Sequence, residues 1–135
     1  MISYADSVEG IDSDQLHGFF AGWPNPPSPE THLKLLGSSD KIVMAVDDET
    51  GNVVGFITAI SDGLLSAYIP FLEVLPAHRG RGIGQELTRR MLDKLTGLYM
   101  VDLLCDPEWQ PFYARLGMKA ASGMMLRDYE RQSGA

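Results

Sequence analysis

Leu72-Glu73-Val74-Leu75-Pro76-Ala77-His78-Arg79-Gly80-Arg81-Gly82-Ile83-Gly84-Gln85-Glu86-Leu87 decides the reading of this chain. A strand-like run from Tyr68 to Leu75 meets Pro76, then an Arg/Gly loop, then an amphipathic helix. Glycines at 80, 82 and 84 remove Cβ atoms where backbone N–H groups would otherwise be shielded. The helix start adds unpaired N–H donors and a partial positive charge. Together these make an anion cradle suited to a phosphate or pyrophosphate. Two familiar phosphate loops fail on spacing. The chain lacks Gly, four residues, then Gly-Lys-Ser/Thr, and a G-x-G-x-x-G started at Gly80 puts Gln85 at its third glycine. A dinucleotide loop would also open an early βαβ unit, whereas this one lies past mid-chain.

Outward from the loop, the pattern alternates strands and helices. Upstream, Met1 to Ala5 reads as a short strand. Asp12 or Ser13 caps a predicted helix carrying Leu16, Phe19, Phe20 and Trp23 at i, i+3, i+4, i+7, stopped by Pro24-Asn25-Pro26-Pro27. Ser28 caps a second helix with Pro29 at its first position and Gly37 at its end. Ile42–Val46, Val53–Ile60 and Leu64–Leu75 form an antiparallel meander, with Pro70 marking a bulge or an unpaired edge. Downstream, Ile83, Leu87, Met91 and Leu95 share one helix face and Gly97 suits the C-cap. Leu98–Leu104 reads as a buried strand. A helix after Asp106-Pro107 carries Trp109, Phe112, Tyr113 and Leu116, with Pro111 forcing a late start or an irregular first turn. Ala120–Asp128 is the expected closing strand. Residues 1–135 form one domain, an α/β (α+β) arrangement without repeats or linkers.

Composition narrows the function. Hydrophobic content of 44% and charged content of 21% are ordinary for a globular domain. No apolar run approaches a membrane span, and no basic-then-apolar leader opens the chain, so a cytoplasmic protein without a membrane partner is expected. One cysteine and three scattered histidines leave neither a disulfide framework nor a metal site. A net charge of −7 argues against nucleic acid as a partner. The charge is also unevenly spread: residues 1–78 carry a net −9 and residues 79–135 a net +2. Five of the eleven basic residues fall between Arg79 and Lys94, a local reversal fit for a polyanion. The acidic part suits a cationic small molecule or is simply a solvated surface. Nothing in the sequence decides the oligomeric state, and a homodimer is compatible with it.

The loop as it stands, Arg79-Gly80-Arg81-Gly82-Ile83-Gly84 after Val74-Leu75-Pro76, resembles the acetyl-CoA loop of the GCN5-related N-acetyltransferases, Arg/Gln-x-x-Gly-x-Gly/Ala after Val-x-Pro. Phe112-Tyr113-Ala114-Arg115-Leu116-Gly117-Met118 resembles that family's F-Y-x-x-x-G-F, with Met in place of the final Phe. The resemblance extends over nearly the whole chain. It implies a GNAT fold: a mixed, mostly antiparallel sheet with a central parallel, splayed strand pair and helices on both faces. It implies acetyl-CoA as co-substrate, no metal, and transfer of acetyl to a primary amine by direct attack in a ternary complex. It places Leu72, Val74 and Leu75 against pantetheine, and Arg79, Gly80, Arg81, Gly82, Ile83 and Gly84 around the pyrophosphate. The Val74 N–H would polarise the acetyl carbonyl.

Such a reaction needs a neutral amine, and deprotonating a lysine-like ammonium at pH 7 costs about 4.6 kcal/mol. It also needs a proton for the leaving thiolate and a donor for the oxyanion. Tyr113 matches the family's general-acid tyrosine; the alternative is a core aromatic. The positions where relatives carry a base on the signature strand hold Tyr68 and Pro70 here. Asp102, eleven residues before Tyr113, and Glu73 are the carboxylate candidates, beside an ordered water. Trp23 and Tyr68 are candidates for touching the acceptor, expected to be a small cationic amine. A protein lysine or N-terminal amine as acceptor, and a non-catalytic acyl-CoA-binding or regulatory module, stand as alternatives.

Overall fold

Val53-Val54-Gly55-Phe56-Ile57-Thr58-Ala59 is buried at every position, the mark of a strand covered on both faces. In the computed structural model, which describes residues 1–135, this run is the core of β3 (Val53–Ser61), the centre of a six-stranded mixed sheet. On one side β3 pairs antiparallel with β2 (Lys41–Asp47), which pairs with β1 (Ile2–Ala5). On the other side it carries two short strands in succession, β4 (Ser66–Tyr68) at Ile60 and Ser61, and β5 (Leu72–Val74) at Gly55 to Ile57. β6 (Met100–Asp102) pairs parallel with β4, Tyr68 opposite Asp102.

The expected long strand Leu64–Leu75 is therefore two pieces. Pro70 has no N–H to give the ladder, and the break falls on Ile69–Phe71. β6 follows β4 and is absent beside β5, which is the splay that the family resemblance implies.

One sheet face lies under α2 (Ile83–Lys94), whose Ile83, Leu87 and Met91 pack with Val43, Ile57 and Ala59. Gly55 makes that contact close: a Cβ there would stand 3.0 Å from Leu87 and 3.3 Å from the Glu73 carbonyl oxygen. The other face lies under α1 (Pro29–Ser38), capped by Ser28, together with Leu16, Phe19 and Phe20 around Phe56. No helix is long and apolar enough to cross a membrane.

Three expectations are corrected. Residues 12–23 form only a 3₁₀ turn, Ser13–Gln15, closed by a reciprocal Asp12/Gln15 cap. The helical spacing of Leu16, Phe19 and Phe20 is real burial, but Gly18, Phe20 and Gly22 all have positive φ, so the chain packs them as an irregular loop. The strand Leu98–Leu104 shrinks to β6, and Asp102 on it is exposed rather than buried. The closing strand Ala120–Asp128 does not form: no strand of this chain lies beside it to share a ladder, and every residue of it is exposed. The helix after Asp106 does show both effects expected of Pro111, a 3₁₀ turn Pro107–Trp109 and then a short α3 (Gln110–Ala114).

His32 lies in the core beneath Phe19, Phe20 and Phe56, 1% exposed, with neither ring nitrogen hydrogen-bonded. Burial lowers its pKa from 6.5 to about 4. Above pH 6.5 the neutral ring fits. Between pH 6.5 and about 4 the unfolded chain takes up a proton that the folded chain refuses, so stability falls with pH, by roughly 3 kcal/mol across that window. His32→Leu should remove that part of the slope. Urea midpoints of the two proteins, measured from pH 7 to pH 4.5, should shift relative to one another in favour of His32→Leu as the pH drops; parallel curves would exclude His32 as the cause.

Candidate active site

The loop of the first quoted stretch resolves into a 3₁₀ turn, Pro76–His78, then Arg79 to Gly82, then α2. Gly80 (φ 77°) and Gly82 (φ 79°) occupy the left-handed region, and Gly82 is the N-cap of α2. Gly84 is different. It is helical, and a Cβ there would meet only Val74 at 3.7 Å and Phe112 at 3.9 Å, ordinary contact distances. Its backbone is open because the side chain is missing, while its conformation makes no demand for glycine.

β5 leads into this loop with one edge committed and one free. The Leu75 N–H donates to the Val54 carbonyl at 2.8 Å, and the Leu75 carbonyl accepts from the His78 N–H at 2.9 Å, so both Leu75 backbone groups already have a partner within the chain. Strand alternation turns the N–H and C=O of Leu72 and Val74 away from β3, into the splay. The Val74 carbonyl accepts from Arg79 Nε at 3.0 Å, which fastens the loop to the strand; the Val74 N–H has no partner.

The basic cluster is smaller than its count suggests. Arg89 pairs with Glu86 and Asp93, Arg90 with Glu86, and Lys94 with Asp6. Arg81 has no ion pair or hydrogen bond, and Arg79 spends only its Nε. These two carry the cationic character of the loop. His78 is half-buried, with Nε2 3.8 Å from Asp47 Oδ2.

Two concavities lie beside the sheet, and only the smaller is lined by β5. The smaller, about 280 Å³, is walled by Phe20, Trp23, Phe71, Glu73 and Arg79. Trp23 stacks on Phe20 (4.9 Å) and Phe71 (6.4 Å). Glu73 is already engaged: its two carboxylate oxygens accept the Phe20 N–H at 2.7 Å and the Ala21 N–H at 3.1 Å, holding Phe20 at φ 60°. The larger is a gap of about 1390 Å³ that gathers Tyr68, Asp102, Cys105 and Tyr113. The structure therefore separates the two acceptor candidates, Trp23 in the first concavity and Tyr68 in the second, and it puts Tyr113 with Asp102 rather than with Glu73.

Tyr113 stands on α3 edge-on to Phe112, 5.0 Å between centroids. Burial, with a smaller contribution from Cys105, pushes its pKa up from 10.0 to about 12. The phenol thus stays protonated throughout the neutral range. Sequence reasoning missed Phe71 and the Glu73 tie to the Phe20 loop, which join residues more than fifty positions apart with no local signal. Gly55, a glycine inside a strand, carries a signal of close approach.

The chain matches the model of the Acetyltransferase (GNAT) family over residues 8–118, and it belongs to that family. It superposes with TM-score 0.96 and 49% identity on a crystal structure from Deinococcus radiodurans R1, provisionally assigned as an acetyltransferase, covering 99% of this chain and 93% of that one. It is 28% identical over 115 residues to GCN5-related N-acetyltransferase 1, chloroplastic, of Arabidopsis thaliana, covering 82% of this chain and 58% of that protein. It is 28% identical over 109 residues to glucosamine 6-phosphate N-acetyltransferase 1 of Oryza sativa subsp. japonica, covering 70% of this chain and 66% of that protein. The chain thus spans less than two thirds of the length of either curated relative.

The two glycines at the helix start separate by experiment. Gly82→Ala should lose about 1 kcal/mol to left-handed strain, whereas Gly84→Ala should be neutral or gain up to about 1 kcal/mol from helix propensity. Thermal melts of the two variants check this. Equal losses would mean that Gly84 is also conformationally required.

Proposed function

We propose that this chain transfers the acetyl group of acetyl-CoA to a primary amine by direct attack in a ternary complex, with a small cationic amine as acceptor. The observation that carries the reading is the free inner edge of β5, which leads through the Pro76–His78 turn into a glycine turn and the N-terminus of a three-turn helix. A pantetheine arm has amides that suit the unpartnered backbone groups of Leu72 and Val74. The N–H groups from Arg79 to Gly84, with the Arg79 and Arg81 side chains, suit a diphosphate. The residues present therefore fit the group. When bound, acetyl-CoA supplies a thioester, an acyl group activated for attack.

The rest is the work of this chain. The Val74 N–H, aimed into the splay, is the donor for the carbonyl oxygen as charge builds on it. Tyr113, held neutral, gives its phenolic proton to the leaving sulfur. Glu73 already serves two backbone N–H groups, so we assign it to holding the Phe20–Ala21 loop and leave proton removal from the amine to Asp102 or to a water beside it. Asp102 shares the larger gap with Tyr113, and it is exposed, so a proton has a route to solvent.

A small acceptor is favoured by the 280 Å³ size of the aromatic concavity, whose walls are Phe20, Trp23 and Phe71. The rice relative, by its name, acts on an amino sugar, an acceptor of that size class. The net −9 of residues 1–78 favours a cation.

Tyr113→Phe should lower kcat by 10²-fold or more while acetyl-CoA affinity, read by calorimetry, stays within about twofold. Release of free thiol against an amine panel measures the first, and equal turnover would remove Tyr113 from the mechanism. With the raised pKa, any basic limb in kcat that comes from Tyr113 lies above pH 10. Gly84→Ala should weaken acetyl-CoA without unfolding; unchanged affinity would detach the glycine turn from the diphosphate.

Replacing Glu73 should act through the fold. Glu73→Gln has one acceptor oxygen for two N–H groups and should cost about 1–3 kcal/mol, leaving the acidic limb of the kcat profile in place. Asp102→Asn should move that limb. The reverse outcome would make Glu73 the base.

A further inference from the structure

The aromatic concavity beside β5 is lined by two charged residues, Glu73 and Arg79, among apolar ones. The acid is already engaged: its two oxygens accept the Phe20 and Ala21 N–H groups at 2.7 and 3.1 Å. The guanidinium is engaged on one side only. Arg79 Nε donates to the Val74 carbonyl at 3.0 Å, which fixes the head group beside the strand. Neither Nη atom bonds to any group of the chain, and no carboxylate pairs with Arg79. What remains free is the Nη1/Nη2 fork, two parallel donors whose spacing matches the two oxygens of a carboxylate. A mostly apolar pocket with one such group orients its ligand by that group.

The place of the fork limits what can bring the carboxylate. Alternation turns both the N–H and the C=O of Val74 into the splay. A guanidinium on that carbonyl therefore stands beside the N–H assigned above to the acetyl oxygen. An anion on the fork is a neighbour of the reacting carbon, so the attacking nitrogen must be bonded close to the anion. An α-amino acid carries both groups on one carbon; an amine with its anion at the far end of a chain does not. A polypeptide N-terminus has an amide where the free amino acid has its carboxylate, and it gives the fork no charge. The rest of the concavity is apolar. Trp23 and Phe71 are half-buried, with Phe20 packed against both. Its volume of about 280 Å³ equals about nine waters at roughly 30 Å³ each, the scale of a single amino acid.

We propose that the acceptor is a free α-amino acid with an apolar side chain. Its carboxylate lies on the Arg79 Nη pair and its side chain against Trp23 and Phe71. The proposal rests on the reading of this concavity as the acceptor site. The ammonium is the cationic end named above, and the carboxylate beside it is the addition. The diphosphate keeps the N–H groups of the turn and Arg81. Transfer turns the ammonium and the thioester into an N-acetyl amino acid and a free thiol, with one proton released.

Phenylalanine, leucine and methionine, each beside its amide and its decarboxylated amine, test the carboxylate. The amide matches the acid in size and lacks its charge. Release of free thiol should give the acid a kcat/KM at least about tenfold above either partner. Arg79→Gln should bring that ratio to within about twofold of one. All substrates share one acetyl-CoA concentration, so a loss in handling acetyl-CoA cancels from the ratio. A native ratio at or below one in every set, or a ratio that Arg79→Gln leaves unchanged, would overturn the proposal. A second readout needs neither turnover nor the Arg79 variant. In Trp109→Phe, Trp23 is the only tryptophan. Without acetyl-CoA, its emission should change with 3-phenylpropionate and not with 3-phenylpropionamide. Such a selective change, with no transfer to any amine, would keep the carboxylate site and remove the acetyltransferase reading. An equal response to both probes, or none, would remove the carboxylate site.

Discussion

A backbone strand must hydrogen-bond on both edges or leave one to something else, and in this chain that choice is forced by Pro70. Proline removes a ladder donor, β3 takes β4 and β5 as separate pieces, and β6 can follow only the first. The inner edge of β5 is left open in the middle of the sheet, where a solvated edge is costly and a ligand edge is not. The neighbouring features follow from that opening. The Arg79 side chain bonds the Val74 carbonyl and folds the loop back onto the strand. Gly80 and Gly82 supply the left-handed steps that aim α2 at the same opening. Gly55 lets α2 lie close enough on β3 to hold its N-terminus there.

Electrostatics refine this picture more than they create it. The sequence places five cations along the loop and its helix, yet three of them neutralise acids of the same protein. Those pairs are largely exposed, and exposed pairs contribute little to stability. Their effect is to leave Arg79 and Arg81 as the cations of this stretch without an acidic partner. Helix N–H groups provide the rest without a net charge. An acidic protein can hold a polyanion this way because the favourable field is local.

The extent to which the sequence was legible depended on whether a residue's reason lay nearby. The glycine turn, the Ser28–Pro29 cap and the position of Tyr113 are read from neighbours within a few positions, and the structure has them. Leu16, Phe19 and Phe20 have helical spacing and are buried, but Gly18 and Gly22 and the distant Glu73 carboxylate set their backbone. Burial was legible there and conformation was not. Glu73 reads as a candidate base because its partners, Phe20 and Ala21, are unknowable from position 73. Asp102 reads as buried because its flanks are apolar, although the strand lies at the sheet edge.

Ala120–Asp128 gives the opposite kind of mismatch. Its pattern reads as a strand, and it forms no ladder. Strand propensity describes a residue's fit to a pleated, half-buried surface, and a surface takes two partners. The sheet of this protein has two open edges, the inner one at β5 and the outer one at β6. Only the outer one borders the gap that holds Tyr113, whose lining takes in Val101 to Cys105 and none of β5. The missing proline N–H thus divides one expected strand into a piece that β6 can follow and a piece that it cannot, and the glycine turn and the start of α2 lie at the end of the second.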